Sequence, residues 1–408
     1  MKSTRREFLQ QAAVFSALGF APQFLARAAH PAVNAIQGFK DDRVLVVVQL
    51  GGGNDGLNTL VPFGDDAYYR ARPKLGIAKD QLHKLDDHLG LNPKLEGFMR
   101  LYDSGKLGIV QGVGYPNPDR SHFRSMEIWH TASNSDEYLG HGWIGRYFDN
   151  QCDGEARPQA GMAVGPERPQ AFEGAKGFGI ATENPRRFGW ETGDLFADEH
   201  LFETVNAPQT GANDTLDFLR HTAMNALNGS RQVRAAADRG KVAGQVQQAR
   251  RNLSQLDTVA GLIRGGLETR IYYVSTSGFD THANQANQHD ALMATVGESL
   301  AKFQAQLEAD GTADRVTTMV FSEFGRRVKE NGSGGTDHGT AAPLFLIGNH
   351  IKPGLHGQSP SLTDLDDGDL KYTTDFRSVY ATLLDQWLKT PSAPVLGRSF
   401  GDLPLLRG

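Results

Sequence analysis

The 408-residue chain holds one cysteine, Cys152, which excludes an internal disulfide framework and reads as a small buried hydrophobe. Long hydrophobic runs are missing too. Nothing approaches the roughly eighteen consecutive apolar residues of a membrane span, so no stable span is expected and the mature chain should be soluble. There is no basic excess: 42 Lys and Arg stand against 47 Asp and Glu, interspersed, for a net charge of −5. That balance gives no footprint for nucleic acid. What is plentiful is glycine, with 47 residues signalling many tight loops, beside a 39% hydrophobic content that suffices for a real core.

The N-terminus reads as a leader. Arg5-Arg6 followed by Phe8-Leu9, the modest apolar run "AAVFSALGF" and the small-x-small site Ala26-Arg27-Ala28 describe a twin-arginine export signal over residues 1–28. Its implied partner is the twin-arginine translocase, and the implied destination is periplasmic or secreted. Residues 29–408 are expected to form a single domain.

Beyond the leader, near-continuous apolar runs alternate with helical stretches. "RVLVVVQL" (43–50), "KLGIVQGVG" (106–114), "RIYYVST" (270–276), "RVTTMVFS" (315–322) and "APLFLIG" (342–348) have the composition of strands buried on both faces. Helix candidates lie at 95–105, 121–132, 291–310 and 374–390. The alternation predicts a three-layer α/β/α sandwich on a mostly parallel central sheet. Residues 150–265 break the rhythm, first Gly/Pro/Phe-rich and then Ala/Arg/Gln-rich, and read as an irregular and helical insertion.

Metal-ligand residue types cluster where the strands end. "VLVVVQL" runs into Asn54 and Asp55, and "GIVQGVG" leads to Ser121 at a helix start. "IYYVSTSGF" leads to Asp280, His282 and His289. "TTMVFS" leads to Glu323, and the loop "NGSGG" then delivers Asp337 and His338. Each cluster alone has a bland reading as a turn, cap or solvated loop. Ligands of open α/β sheets bind outside the carboxyl ends of the strands, so four such ends converging point to one site. Asp, Glu and His suit a divalent cation such as zinc, manganese, magnesium or calcium. A serine at a helix N-terminus suits an anionic ester, and Arg120, Arg124, Arg326 and Arg327 flank the serine and the Glu323 loop. Metal activation of a hydroxyl with arginines on an anion describes hydrolysis of a phosphate or sulfate ester, of small-molecule or glycan type.

Several segments carry a resemblance: "RREFL", "VVVQLGGGNDGLNTLVP", "RSHFRSMEIW", "GWIGRY", "GFDTHANQ", "SEFGRRVKENGSGGTDHGTAAPLFLIG" and "DFRSVYATLL". In order along nearly the whole chain, they resemble the exported bacterial family known as domain of unknown function 1501, grouped with the alkaline phosphatase and sulfatase superfamily. The resemblance implies a metal site at the strand ends. Within it Asp55 resembles a first-strand ligand and Ser121 the nucleophile. Asp280 with His282 or His289 resembles the Asp-plus-His ligand segment, and His338 the closing ligand. Glu323-Phe324 departs from an expected Asp-His pair, leaving His122 or Asp337 to substitute; spacing within "DTH" is shorter than the usual Asp-x-x-x-His. The expected catalytic set is therefore Ser121, His122, Arg124 and Arg326. The expected metal set is Asp55, Asp280, His282, His289, Glu323, Asp337 and His338. A non-catalytic binding or assembly protein on the same fold is the alternative.

Overall fold

A computed structural model describes residues 41–151, 158–176, 179–189, 199–207, 214–242 and 253–407. The expected leader (1–28) and Cys152 lie outside the described residues.

Among the described residues nine strands form the central sheet: β1 (Val44–Gly51), β2 (Leu107–Gly114), β3 (Gly161–Val164), β4 (Ile180–Thr182), β5 (Ile271–Ser277), β6 (Val316–Phe321), β7 (Ala342–Ile347), β8 (Gly354–His356) and β9 (Thr374–Asp375). Their order is β8-β2-β7-β6-β1-β5-β3-β4, with β9 also pairing β2. All pairings are parallel except those of β7, which runs antiparallel to both β2 and β6. The mostly parallel sheet is thus mixed, because "APLFLIG" enters from the opposite end. Pro343 cannot donate to a ladder, and it sits where the β7–β2 register shifts between Ala342 and Leu344.

The helices that matter here are α1 (Gly56–Thr59), α2 (Asp66–Ala71), α3 (Glu96–Asp103), α4 (His122–Thr131), α5 (Trp143–Gln151), α6 (Asp214–Arg239), α7 (Gln255–Arg264), α8 (Gln285–Ala309) and α9 (Phe376–Thr382). Pleating sends alternate β1 side chains to opposite faces. Val44, Val46 and Val48 join a core with α3, α7 and α8, while Leu45 and Val47 join a second core with α4, α5 and α9. These two apolar layers make the sheet the middle of an α/β/α sandwich, which is why its strands carry hydrophobes at nearly every position.

Residues 150–265 are not simply an insertion. Gly161–Val164 and Ile180–Thr182 extend the sheet in parallel beyond β5. A Cβ on Gly161 would lie 2.6 Å from the Phe172 ring and 2.8 Å from Phe148, so bare backbone makes room for those aromatics. Among the described residues no helix is long and apolar enough to cross a membrane.

Candidate metal centre

Three parallel neighbours, β6, β1 and β5, end side by side, and the chain leaving each one turns over the sheet edge. The exit from β1 uses backbone that only glycine takes easily. Gly52 has φ 119° and Gly53 φ 71°. A Cβ on Gly52 would lie 2.5 Å from the Asp280 backbone nitrogen, and one on Gly53 2.3 Å from the Phe324 ring. The missing side chains let the loop after β5, carrying Asp280 and His282, close against the loop after β6, carrying Glu323, Phe324 and Arg326. α4 supplies His122 from the other side, and the loop between β6 and β7 brings His338.

The geometry at the centre is that of convergent acceptors. His282 Nε2 lies 2.9 Å from His338 Nε2. Each of these nitrogens also approaches one oxygen of Asp280, at 3.0 and 3.1 Å. His122 Nε2 is 3.6 Å from the same oxygen, is buried, and has no hydrogen-bond partner among the described residues. The ligand atoms of His122, Asp280 and His338 all lie within 4.8 Å of one another.

Each imidazole is held from behind through its other nitrogen. His122 Nδ1 donates to Glu323 Oε1 at 2.8 Å, His282 Nδ1 to Asp337 Oδ1 at 3.3 Å, and His338 Nδ1 to the Arg120 carbonyl at 2.8 Å. Carboxylates and carbonyls accept only, so these bonds assign the ring proton to Nδ1. In the neutral rings all three Nε2 atoms then present lone pairs toward an ionised carboxylate. Such an arrangement is repulsive until a cation is shared among them. Metal bonds of about 2.1 Å put ligand atoms roughly 3.0–3.4 Å apart for angles between square and tetrahedral, which matches the Asp280–His282–His338 triangle. Partners on the distal nitrogens are what metal-ligating histidines require. The residues fit a single divalent cation.

Charge supports the same assignment. Burial alone would raise the Asp280 carboxyl, but it is brought down to about 2, with the Arg326 hydrogen bond the leading cause of the lowering. The Glu323 hydrogen bond raises His122 above its ordinary value. The Asp337 carboxyl is lowered, first by its bond from Asn331. The Asp280 side chain is 49% exposed, so the cluster opens to solvent on one side.

Other expected residues stand elsewhere. Asp55 is fully buried; Arg72, just past α2, pairs with it at 2.6 Å, and Gln285 also donates to it. That pair holds the Asp55 carboxyl low despite its burial. A guanidinium thus neutralises Asp55, which does not join the cluster. His289 lies inside α8 against Asn54 Oδ1 at 3.0 Å, and burial lowers its pKa. Glu323 is 1% exposed, and its carboxylate accepts from His122, from the Gly52 N–H at 2.8 Å and from Ser322. It orients His122 instead of joining the triangle. Phe324 lies 4.9 Å from both the His122 and His338 rings and backs them.

Two of the four arginines expected on the anion, Arg124 and Arg326, are spent internally. Arg326 is 1% exposed; it donates to the carbonyls of Gly52, Gly53, Phe279 and Thr336 and to Asp280. Arg124 binds the carbonyls of Asn134, Ser135 and Glu137, pairs with Glu127 and lies under the Tyr138 ring. Ser121 is exposed at the α4 N-terminus, and its hydroxyl makes no capping bond.

Three contributors went unnoticed in the sequence. Arg72 and Gln285 sit among ordinary helix-edge residues and gave no signal. Asn331 had one, the "NG" turn dipeptide. It accepts from the Ser333 and Gly335 N–H groups and donates to Asp337 and the His282 carbonyl, which orders the glycine loop. A cavity of about 390 Å³ is lined by Glu323, Phe324, Tyr115, Trp129, Lys371 and Tyr372, among others, but by none of the three imidazoles or Asp280.

The family model described as "Protein of unknown function (DUF1501)" matches residues 42–400. Comparison with curated protein sequences returns no match. Solved structures similar to this chain include a protein in the alkaline phosphatase superfamily from Vibrio parahaemolyticus, at 11% identity and TM-score 0.39 over 97% of this chain and 78% of that one. Another is the C-terminal periplasmic domain of EcEptC from Escherichia coli, at 11% identity and TM-score 0.41 over 87% and 86%. A third is the PsFucS1 sulfatase from Pseudoalteromonas sp., at 10% identity and TM-score 0.38 over 95% and 72%.

Proposed function

The chain belongs to the DUF1501 family, and from that premise and its own residues we propose that it is an exported, cation-dependent hydrolase of phosphate or sulfate esters. One observation carries the reading: three imidazole Nε2 atoms, each with its Nδ1 already engaged, aim at one oxygen of an ionised aspartate. Asp280, His282 and His338 would hold the cation, with His122 closing the set. Bound there, a divalent ion supplies Lewis acidity toward an ester oxygen and lowers the pKa of a nearby hydroxyl.

The chain's own groups prepare that chemistry. Glu323 and Asp337 fix the tautomer and direction of His122 and His282, and the Arg120 carbonyl does the same for His338. Arg326 locks Asp280 in place and keeps it ionised at any ordinary pH. Ser121 is the nucleophile in this reading: the residue is exposed, its hydroxyl is not spent on helix capping, and in the chain it sits between Arg120 and His122, both tied to the cluster. Export by the twin-arginine route, on residues 1–28, belongs to the same proposal.

The test is elemental analysis of protein recovered from its exporting host, followed by assay on aryl phosphate and aryl sulfate esters. The expectation is one cation per chain and cation-dependent hydrolysis of one ester class. A bound cation without turnover on either would instead give a non-catalytic binding protein. That second reading is favoured by Arg72, whose guanidinium already neutralises Asp55 and leaves no acceptor there for a second ion.

A further inference from the structure

Arg124 and Arg326 are consumed within the fold, but Arg120 and Arg327 converge on a single exposed atom. Arg120 Nη1 and Nη2 lie 3.3 and 3.2 Å from Asp367 Oδ2, and Arg327 Nη2 lies 3.3 Å from the same oxygen. One carboxylate oxygen therefore serves two guanidinium forks. Asp367 is the tip of a two-residue turn, Asp367–Gly368, with φ 50° and 84°, between the short strands Leu365–Asp366 and Asp369–Leu370. Its side chain is 76% exposed, whereas Asp369, behind it, is 1% exposed and pairs with Arg120 while lying 3.8 Å from Arg327.

Both arginines are tied to the imidazole cluster through their backbones. The Arg120 carbonyl accepts from His338 Nδ1 at 2.8 Å, and the Arg327 N–H donates to the Asp337 carbonyl at 3.0 Å. The backbones that carry both forks are thus anchored to the loop that holds His338 and Asp337. Charge-assisted bonds normally run about 2.7–2.9 Å, so the contacts to Asp367 are long. A lone oxygen cannot satisfy two planar forks at once, while a tetrahedral oxyanion offers each fork oxygens of its own. Asp369 is buried and stays as the fixed counter-ion; Asp367 is exposed and exchangeable, since exposed ion pairs hold weakly.

We propose that Arg120 and Arg327 form the oxyanion subsite of this protein, which takes the phosphate or sulfate group of the substrate, and that Asp367 is its built-in occupant, displaced when the anion binds. The inference rests on reading the neighbouring cluster as the cation site of an ester hydrolase, and it names the residues that hold the anion.

The experiment titrates inorganic phosphate, and separately sulfate, into the full mature chain by calorimetry, with cation content measured on the same samples. Asp367→Asn keeps a residue tolerant of the left-handed turn and removes the competing charge. It should tighten binding of at least one anion roughly fivefold or more. Arg327→Gln should weaken it at least as much, and Asp367→Asn added to Arg327→Gln should recover little. If wild type binds too weakly to measure, Asp367→Asn must bring binding into range. Equal or weaker binding of both anions by Asp367→Asn overturns the proposal whatever the arginine variants do. Protein recovered from its exporting host without cation and without turnover on either ester, in which Asp367→Asn still tightens the anion, would sink the hydrolase reading and leave this anion subsite standing. The stronger of the two arms identifies the anion.

Discussion

Glu323→Gln separates a residue that binds the cation from one that orients a ligand. Glu323 Oε1 accepts from His122 Nδ1 and from the Gly52 N–H, each at 2.8 Å. A glutamine carbonyl in that position can keep both bonds. Its amide would face Ser322 Oγ, whose own proton can go to the Leu50 carbonyl at 2.7 Å, so no buried group is left unpaired. What disappears is the negative charge that makes His122 more basic. Loss of such a partner behind a ligand typically costs 10–100-fold in metal affinity, or about 1.4–2.7 kcal/mol. Asp280→Asn, which removes a donor itself, should abolish binding over the same concentration range. Competition against a chromophoric chelator near neutral pH measures both, with the metal-free melting temperature as a folding control. If Glu323→Gln loses the cation as completely as Asp280→Asn, Glu323 is a ligand and the orienting argument is wrong. If affinity is unchanged, His122 does not belong to the cation set.

His338→Ala should remove the cation-dependent rise in melting temperature and leave the metal-free protein close to wild type, because a ligand that binds only the native state stabilises by mass action, about 2.7 kcal/mol at a hundredfold excess over Kd; differential scanning fluorimetry with and without cation checks it. Metal-free and cation-loaded protein should respond to pH in opposite senses. With His122 raised by Glu323, its pairing stabilises the metal-free fold fully below about pH 6.5 and is lost as pH rises through the folded pKa, whereas cation binding strengthens over that rise because it needs the unprotonated Nε2; melting curves between pH 5 and 9 would show parallel trends if this were mistaken. Asp55→Asn leaves Arg72 buried without its counter-charge and should cost about 3–5 kcal/mol in chemical denaturation, yet cation stoichiometry should stay at wild type, since Asp55 pairs with Arg72 away from the cluster. Arg5→Lys with Arg6→Lys should trap the precursor in the cytoplasm on fractionation, and unchanged export would remove the twin-arginine reading.

The strand framework was legible because its cause is local. A strand covered on both faces must be apolar throughout, and "VLVVV", "IYYV" and "VTTMVF" announce that without reference to any partner. Strands Gly161–Val164 and Ile180–Thr182 escaped because four and three residues carry too little pattern, and because their place is set by docking onto β5 and β3. The direction of β7 was hidden for a similar reason: an apolar run reads the same in a parallel or an antiparallel neighbour.

By itself, the sequence determined that apolar strands end in loops rich in Asp, Glu, His and Gly, since residue type and spacing are properties of the chain alone. Only the tertiary structure decided which of those groups share a cation and which are consumed. Asp55, Asp280 and Glu323 are all carboxylates two to four residues past a strand, yet Arg72 takes the first and His122 leans on the third, through contacts spanning 17 and 201 residues. Of the three, Asp280 is the one that faces the imidazole Nε2 atoms, because the positive φ of Gly52 and Gly53 lets the β1 exit pack against its loop. The role of a carboxylate depends on the nearest counter-charge and on how far water is excluded, and both are set by chain segments that meet only when the sheet is assembled.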